Sequence, residues 1–138
     1  MAREIKFRGR NGNMWVYGNL HVRKHDEYGD SAFIIGSTEK PATVQVDVRT
    51  VGQFTGIKDC KGREIYEGDI LEYYNDITKK SHVSGHVVYD EYKAAFNIVN
   101  PKDGSHLYIM PTDDGIDPHL TVIGNIHSNP ELLKGTRK

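Results

Sequence analysis

The chain never sustains a helical hydrophobic period. Its apolar residues alternate with polar ones over short runs, and each run is cut off by Gly, Asn, Asp or Pro. Period-2 alternation with frequent turn residues is the signature of strands with one buried face. The segment 3–8 alternates, with Ile5 and Phe7 on one side and Glu4, Lys6 and Arg8 on the other. Asn11-Gly12 follows, a pair that tolerates positive φ and so marks a tight hairpin, and residues 14–22 read as the returning strand. Residues 32–36 and 43–48 are further strands, the latter with Val44, Val46 and Val48 on one face. The stretch 49–59 carries two glycines and reads as an irregular connection that anchors Val51, Phe54 and Ile57 in the core.

From residue 59 the pattern tightens. Residues 59–65 read as a turn around Lys61-Gly62, and strands are expected within 66–76, 82–92 (bent at Gly85), 93–100, 106–110 and 120–127. Residues 129–133 suit one helical turn, with Asn129 as cap and Pro130 at the first helical position. The expected fold is mainly β: an N-terminal β-hairpin and small sheet over 1–58, packed on a C-terminal SH3-like β-barrel, or roll, over 59–138. The two could form one compact unit. Closing a sheet hides edges that a small domain has few other ways to protect.

The chain's 138 residues allow one domain or two very small ones, and 18 Lys and Arg against 19 Asp and Glu leave a net charge of −1. A protein that binds duplex nucleic acid through phosphates usually carries a basic excess, so that class ranks low. Local basic character persists at Arg3, Lys6, Arg8 and Arg10, at Lys61 and Arg63, and at Lys134, Arg137 and Lys138. The single cysteine, Cys60, excludes an intrachain disulfide. No apolar run reaches the roughly 18 residues of a membrane span, and the first residues lack the apolar stretch of a signal peptide. A cytoplasmic protein without membrane contact is the expectation.

Sites for chemistry are sparse. Of the seven histidines, His82 and His86 stand four apart and would share a face on an unbent strand, with Asp90 and Glu91 following. Two such ligands fall short of the three or four that a metal needs, and Gly85 stands between them. His25, Asp26, Glu27 and Asp30 read as a solvated loop. Asp113, Asp114 and Asp117 lack the spacing of a calcium loop. No nucleophile elbow, Cys-His pattern or phosphate-binding glycine loop occurs, and Cys60 reads as a turn thiol. No enzyme and no cofactor are expected.

The aromatic residues are the more suggestive feature. Five of the eight tyrosines, Tyr73, Tyr74, Tyr89, Tyr92 and Tyr108, fall in the second half. Neighbours such as Tyr73 and Tyr74 must point to opposite faces of a strand. Strand propensity alone would place tyrosines there, but exposed ones make a recognition surface for protein or single-stranded nucleic acid. The candidate binding surface is Tyr73, Tyr74, Tyr89 and Tyr92, with Arg3, Lys6 and Arg8 from the basic first strand.

The blocks TVGQFTGIKDCKGREIYEGDIL (50–71), EIKFRGR (4–10), GHVVYDE (85–91) and VIGNIHSNPELL (122–133) resemble, in order, the YopX family of phage and prophage proteins. The resemblance implies a β-rich chain with an SH3-type roll in its C-terminal part, encoded by a phage or mobile element. It implies no catalytic residue, because the family carries no established activity. Cys60 stands where a polar turn residue is expected. The functional expectation is a non-enzymatic module that binds a protein partner or self-associates. The alternative is a nucleic-acid-binding accessory protein using the basic first strand and exposed tyrosines.

Overall fold

The computed structural model describes residues 4–25, 27, 29–36 and 42–134. Among them the order is β1 (Phe7–Asn11), β2 (Met14–Arg23), β3 (Ser31–Ile35), β4 (Thr43–Lys58), β5 (Glu64–Tyr66), β6 (Asp69–Asn75), β7 (Lys80–Asp90), β8 (Ala95–Val99), β9 (His106–Tyr108), β10 (Leu120–Asn125) and a single helical turn, α1 (Glu131–Lys134). The chain is mainly β, as the alternation requires. It forms two antiparallel five-stranded sheets, ordered β1-β2-β3-β4-β5 and β10-β6-β7-β8-β9. It divides within β4 into two compact units, Met1–Phe54 and Thr55–Lys138.

In the first unit β1 pairs with both β2 and β4, so the ladders of β1 to β4 run in a closed circuit. Inside lie Ala32, Ile34 and Val46, with Phe7, Val16, Leu20 and Val51 packed against them. The register puts Ala32 opposite Val46 and Ile34 opposite Val44, which is the alternation of two half-buried strands meeting. Val48 has left that face and is exposed.

The connection expected over 49–59 is instead strand as far as Lys58. Phe7 pairs with Gln53 and Arg8 with Gly52, and the register slips between Arg8 and Arg10. At that slip the Thr50 hydroxyl accepts the Arg10 amide at 2.9 Å and donates to the Asp47 carbonyl at 2.6 Å. An irregularity thus absorbs three extra residues of β4 and bends the strand, where glycines alone suggested a break. The first strand also starts later than its alternation suggested, at Phe7. Strand β5, only 3 residues long, is too short to show a period and was hidden in the expected turn.

In the second unit the last strand returns beside the first, β10 against β6. The described ladders form one five-stranded antiparallel sheet, β10-β6-β7-β8-β9. Its core is Ile65, Leu71, Val87, Ile98, Leu120 and Val122. The helical turn over 129–133 is present as α1, but the Asn129 side chain faces back and accepts the Asn125 amide at 3.2 Å. The Asn129 carbonyl accepts the Leu132 amide instead.

A second bulge lies in β7. Leu71 pairs with Gly85 while Glu72 pairs with Val83, which leaves Ser84 extra. An added residue inverts the alternation beyond it. His82 therefore stands opposite Tyr73 and His86 opposite Ile70. Tyr73 and Ile70 are three apart on an unbulged strand, so the two histidines face opposite sides and share no ligand position. Among the described residues no three His, Cys, Asp or Glu side chains converge as a metal site would need.

His86 is half-buried, and burial holds its imidazole below the ordinary value of 6.5. The folded chain then binds that proton later than the unfolded chain does. Stability is full above the ordinary histidine value and falls as pH drops through it, because the unfolded chain protonates first. The urea midpoint is expected to fall between pH 7.5 and 5, and to fall less in His86→Gln. Equal pH dependence in both proteins would show that another group carries it.

Candidate functional site

The longest recognisable motif is architectural. Asp59 is fully buried. Its Oδ1 accepts the amides of Lys61 and Arg63, each at 2.9 Å, and its Oδ2 accepts the Val122 amide at 2.9 Å. One carboxyl group thus shapes the 59–63 turn, where Gly62 holds φ +83°, and ties it to β10. Asp69 Oδ2 accepts the Tyr66 amide at 2.8 Å and so closes the turn before β6. Asp117 accepts the amides of Met110 and His119 at 2.9 and 3.0 Å. All three carboxyl groups are at most 4% exposed and serve backbone amides. Short polar side chains are the usual means of holding such turns. Cys60 is exposed and lies 3.4 Å from the Thr121 hydroxyl.

The expected binding residues fall in three places. Arg3 lies outside the described residues. Lys6 and Arg8 belong to the first unit and are engaged there. Arg8 is 5% exposed, with its guanidinium 4.6 Å from the Trp15 ring centre. The Lys6 ammonium lies 3.4 Å from Glu4 and 5.5 Å from the Phe54 ring centre. Tyr73 and Tyr74 sit at one end of the second sheet, on opposite faces as strand geometry demands. Tyr73 packs against the core, stacked on His119 at 5.5 Å, and His119 Nε2 lies 2.7 Å from Asp76. Tyr74 is exposed.

Tyr89 and Tyr92 lie at the far end of β7. Tyr73 pairs with His82 in the half of β7 that meets β6, and Tyr89 with Phe96 in the half that meets β8, on the other side of the bulge. The four tyrosines therefore make two sites rather than one. Antiparallel pairing adds residues that the sequence pattern did not single out. Tyr108 of β9 pairs with Asn97 of β8, and Met110 follows two residues on, its amide on Asp117. Tyr92, Tyr108 and Met110 are exposed, Tyr92 completely, whereas Tyr89, opposite Phe96, is exposed on the other face of the sheet from Tyr108. Phe96 meets Tyr89 edge-on at 5.2 Å. The Lys93 ammonium donates to the Tyr108 hydroxyl and lies 4.8 Å from that ring's centre. This contact raises the Lys93 pKa and keeps the ammonium charged.

The β7–β8 turn has a twin in the β6–β7 turn. Asn75 Oδ1 accepts the amides of Ile77 and Thr78, at 2.9 and 3.2 Å. Asp90 Oδ1 accepts those of Tyr92 and Lys93, at 3.0 and 3.3 Å. Each turn ends on a non-glycine residue in the left-handed region, Lys79 at φ +62° and Ala94 at φ +53°. Each lifts one large apolar side chain into solvent, Ile77 in one and Tyr92 in the other. Left-handed backbone costs an L-residue about 1–2 kcal/mol, and glycine's freedom in the unfolded chain returns part of that. Ala94→Gly is expected to stabilise by about 0.5 kcal/mol, read as a raised urea midpoint with unchanged slope. A lowered midpoint would mean that the turn is not strained.

The chain resembles a solved protein of unassigned role. The crystal structure of protein EF1440 from Enterococcus faecalis superposes with a TM-score of 0.57 at 24% identity, covering 96% of this chain and 99% of that one. At this identity the likeness speaks for the fold alone. No curated protein matches. The family model for the YopX protein matches residues 6–134, nearly the whole described span, and the chain belongs to the YopX family.

Proposed function

We propose that this YopX-family chain is a non-enzymatic protein-binding module, cytoplasmic and borne by a phage or mobile element, that acts through the β7–β8 end of its second sheet. One observation carries the reading: Tyr92 and Tyr108 stand exposed at the β7–β8 end, linked through Lys93, with Met110 exposed two residues beyond Tyr108. Exposed apolar side chains are ordinary singly, but gathered they mark contact surfaces, and tyrosine and methionine are enriched in such contacts. The alternative, nucleic-acid binding through the first strand, is disfavoured by the internal engagement of Lys6 and Arg8.

The test compares the wild type with Tyr92→Ser/Tyr108→Ser, both exposed changes that leave the core alone. Light scattering over a concentration series reads self-association, and cross-linking in host lysate reads partners. The expected result is a wild-type complex of either kind that the double variant loses. A strict monomer with no cross-linked partner would sink the reading. A salt-dependent shift of single-stranded or duplex nucleic acid would favour the alternative.

A further inference from the structure

We infer that the partner seated on the β7–β8 end is a cationic protein segment bearing apolar side chains, with Tyr92 and Glu91 as its central contacts. This deepens the proposed function and rests on it. The argument is charge complementarity around an apolar patch. The patch itself is Tyr92, Tyr108 and Met110. The turn that presents it reads Asp90-Glu91-Tyr92-Lys93, and the chain leaving Met110 continues through Asp113 and Asp114. The one cation of the turn, Lys93, is already held by Tyr108. Asp90 is tied inward by the amides of Tyr92 and Lys93 and by the Asn97 side chain at 3.1 Å. Asp114 is engaged by Thr112 and the Ile116 amide. Glu91 is exposed and has no ion-pair partner among the described residues. The nearest imidazole, His106, faces Asn97 at 3.4 Å.

The turn's two carboxylates, Asp90 and Glu91, outnumber its one ammonium, Lys93, so its net charge is negative, beside the fully exposed Tyr92 ring, whose face accepts cations. Lysine and arginine side chains satisfy both features. Their heads pair with Glu91 or sit over a tyrosine ring, and their stems cover apolar surface. An acidic segment or a nucleic-acid strand would meet repulsion from Asp90 and Glu91 that Lys93 offsets only in part. The turn is also fixed in place: the Asp90 side chain and the ladder to β8 hold Tyr92 before any partner arrives, which lowers the ordering cost of binding.

The experiment uses the full ¹⁵N-labelled chain and three probes. Two are synthetic peptides of equal length, one alternating lysine with leucine and the other glutamate with leucine. The third is a short oligothymidylate. The lysine peptide is expected to shift amides of residues 89–95 and 108–110 and to bind on the order of tenfold more weakly to Glu91→Lys. Tyr92→Ser should weaken it as well, while raised salt weakens only the wild-type complex strongly. Equal or stronger shifts from the glutamate peptide or the oligonucleotide would overturn the inference. So would lysine-peptide shifts confined to another surface, or none at all. If no probe binds while Tyr92→Ser/Tyr108→Ser still abolishes a complex in light scattering or cross-linking, the cationic partner is wrong and the binding-module reading stands. If both fail, both fall.

Discussion

Replacing Asp59 with alanine is expected to cost about 3–5 kcal/mol, enough to leave the chain largely unfolded at physiological temperature if its total stability is typical. The side chain is fully buried and accepts three backbone amides, those of Lys61, Arg63 and Val122. Each hydrogen bond to a charged group contributes about 1.5–3 kcal/mol, and each buried amide left unpaired costs about 1–3. These terms overlap, so the sum lies below their arithmetic total. The amides come from the 59–63 turn and from β10, which is why the loss reaches beyond one loop. Asp59→Asn keeps one acceptor oxygen but turns an amide group toward the remaining N–H donors. It should cost less, about 1–3 kcal/mol. Chemical denaturation of both variants checks this. An Asp59→Ala midpoint within error of wild type would show that the turn is held by other means.

Gly85→Ala is expected to cost about 2–4 kcal/mol, in the upper range of single substitutions. Gly85 has φ +138° in the β7 bulge, a backbone state that L side chains rarely adopt. A Cβ there would sit 1.9 Å from the Val99 carbonyl oxygen and 2.5 Å from its carbon. The obstacle is backbone of the neighbouring strand and has no rotamer to yield. Relief requires the β7–β8 ladder to open or the bulge to slip. A slip by one residue would flip His86 and Val87 to the wrong faces. The variant should therefore lose amide protection along β7 and β8 in hydrogen exchange, together with its lowered midpoint. Unchanged protection would mean that the bulge is adaptable, and the twofold placement of the histidines would lose its explanation.

Both residues lie inside the blocks that carry the family resemblance, and both act by placing backbone. This bears on how the family's sequence pattern is read. TVGQFTGIKDCKGREIYEGDIL is dense in turn chemistry: Asp59 and Gly62 for one turn, Asp69 for the next. Its residues build the end of β4, all of β5 and the start of β6. The surface proposed to meet a partner lies elsewhere, on side chains that could change without disturbing a single backbone hydrogen bond. Chains sharing this scaffold are then expected to differ most in the β7–β8 turn and at positions 108 and 110.

The sequence by itself determined the class of fold and most of the strands. Alternation fixes which residues can share a buried face, and Asn11-Gly12 and Gly85 mark a turn and a bend through local sterics that act within a few residues. It also located the helical turn near Pro130 and the opposite facing of Tyr73 and Tyr74. Tertiary structure decided what depends on pairing between distant segments. The ladder from β1 carried β4 through Gly52 to Gln53, its pairing with β5 accompanies the rest of the strand to Lys58, and three amides gave Asp59 its role. The registers from β7 to β9 put Tyr89 and Tyr108 on opposite faces, and the Lys93 contact brings Tyr108 to the turn that carries Tyr92. Local propensity spans a few residues, whereas a surface is assembled from strands far apart in the chain. Their register is set by the whole core, and no window of sequence contains it.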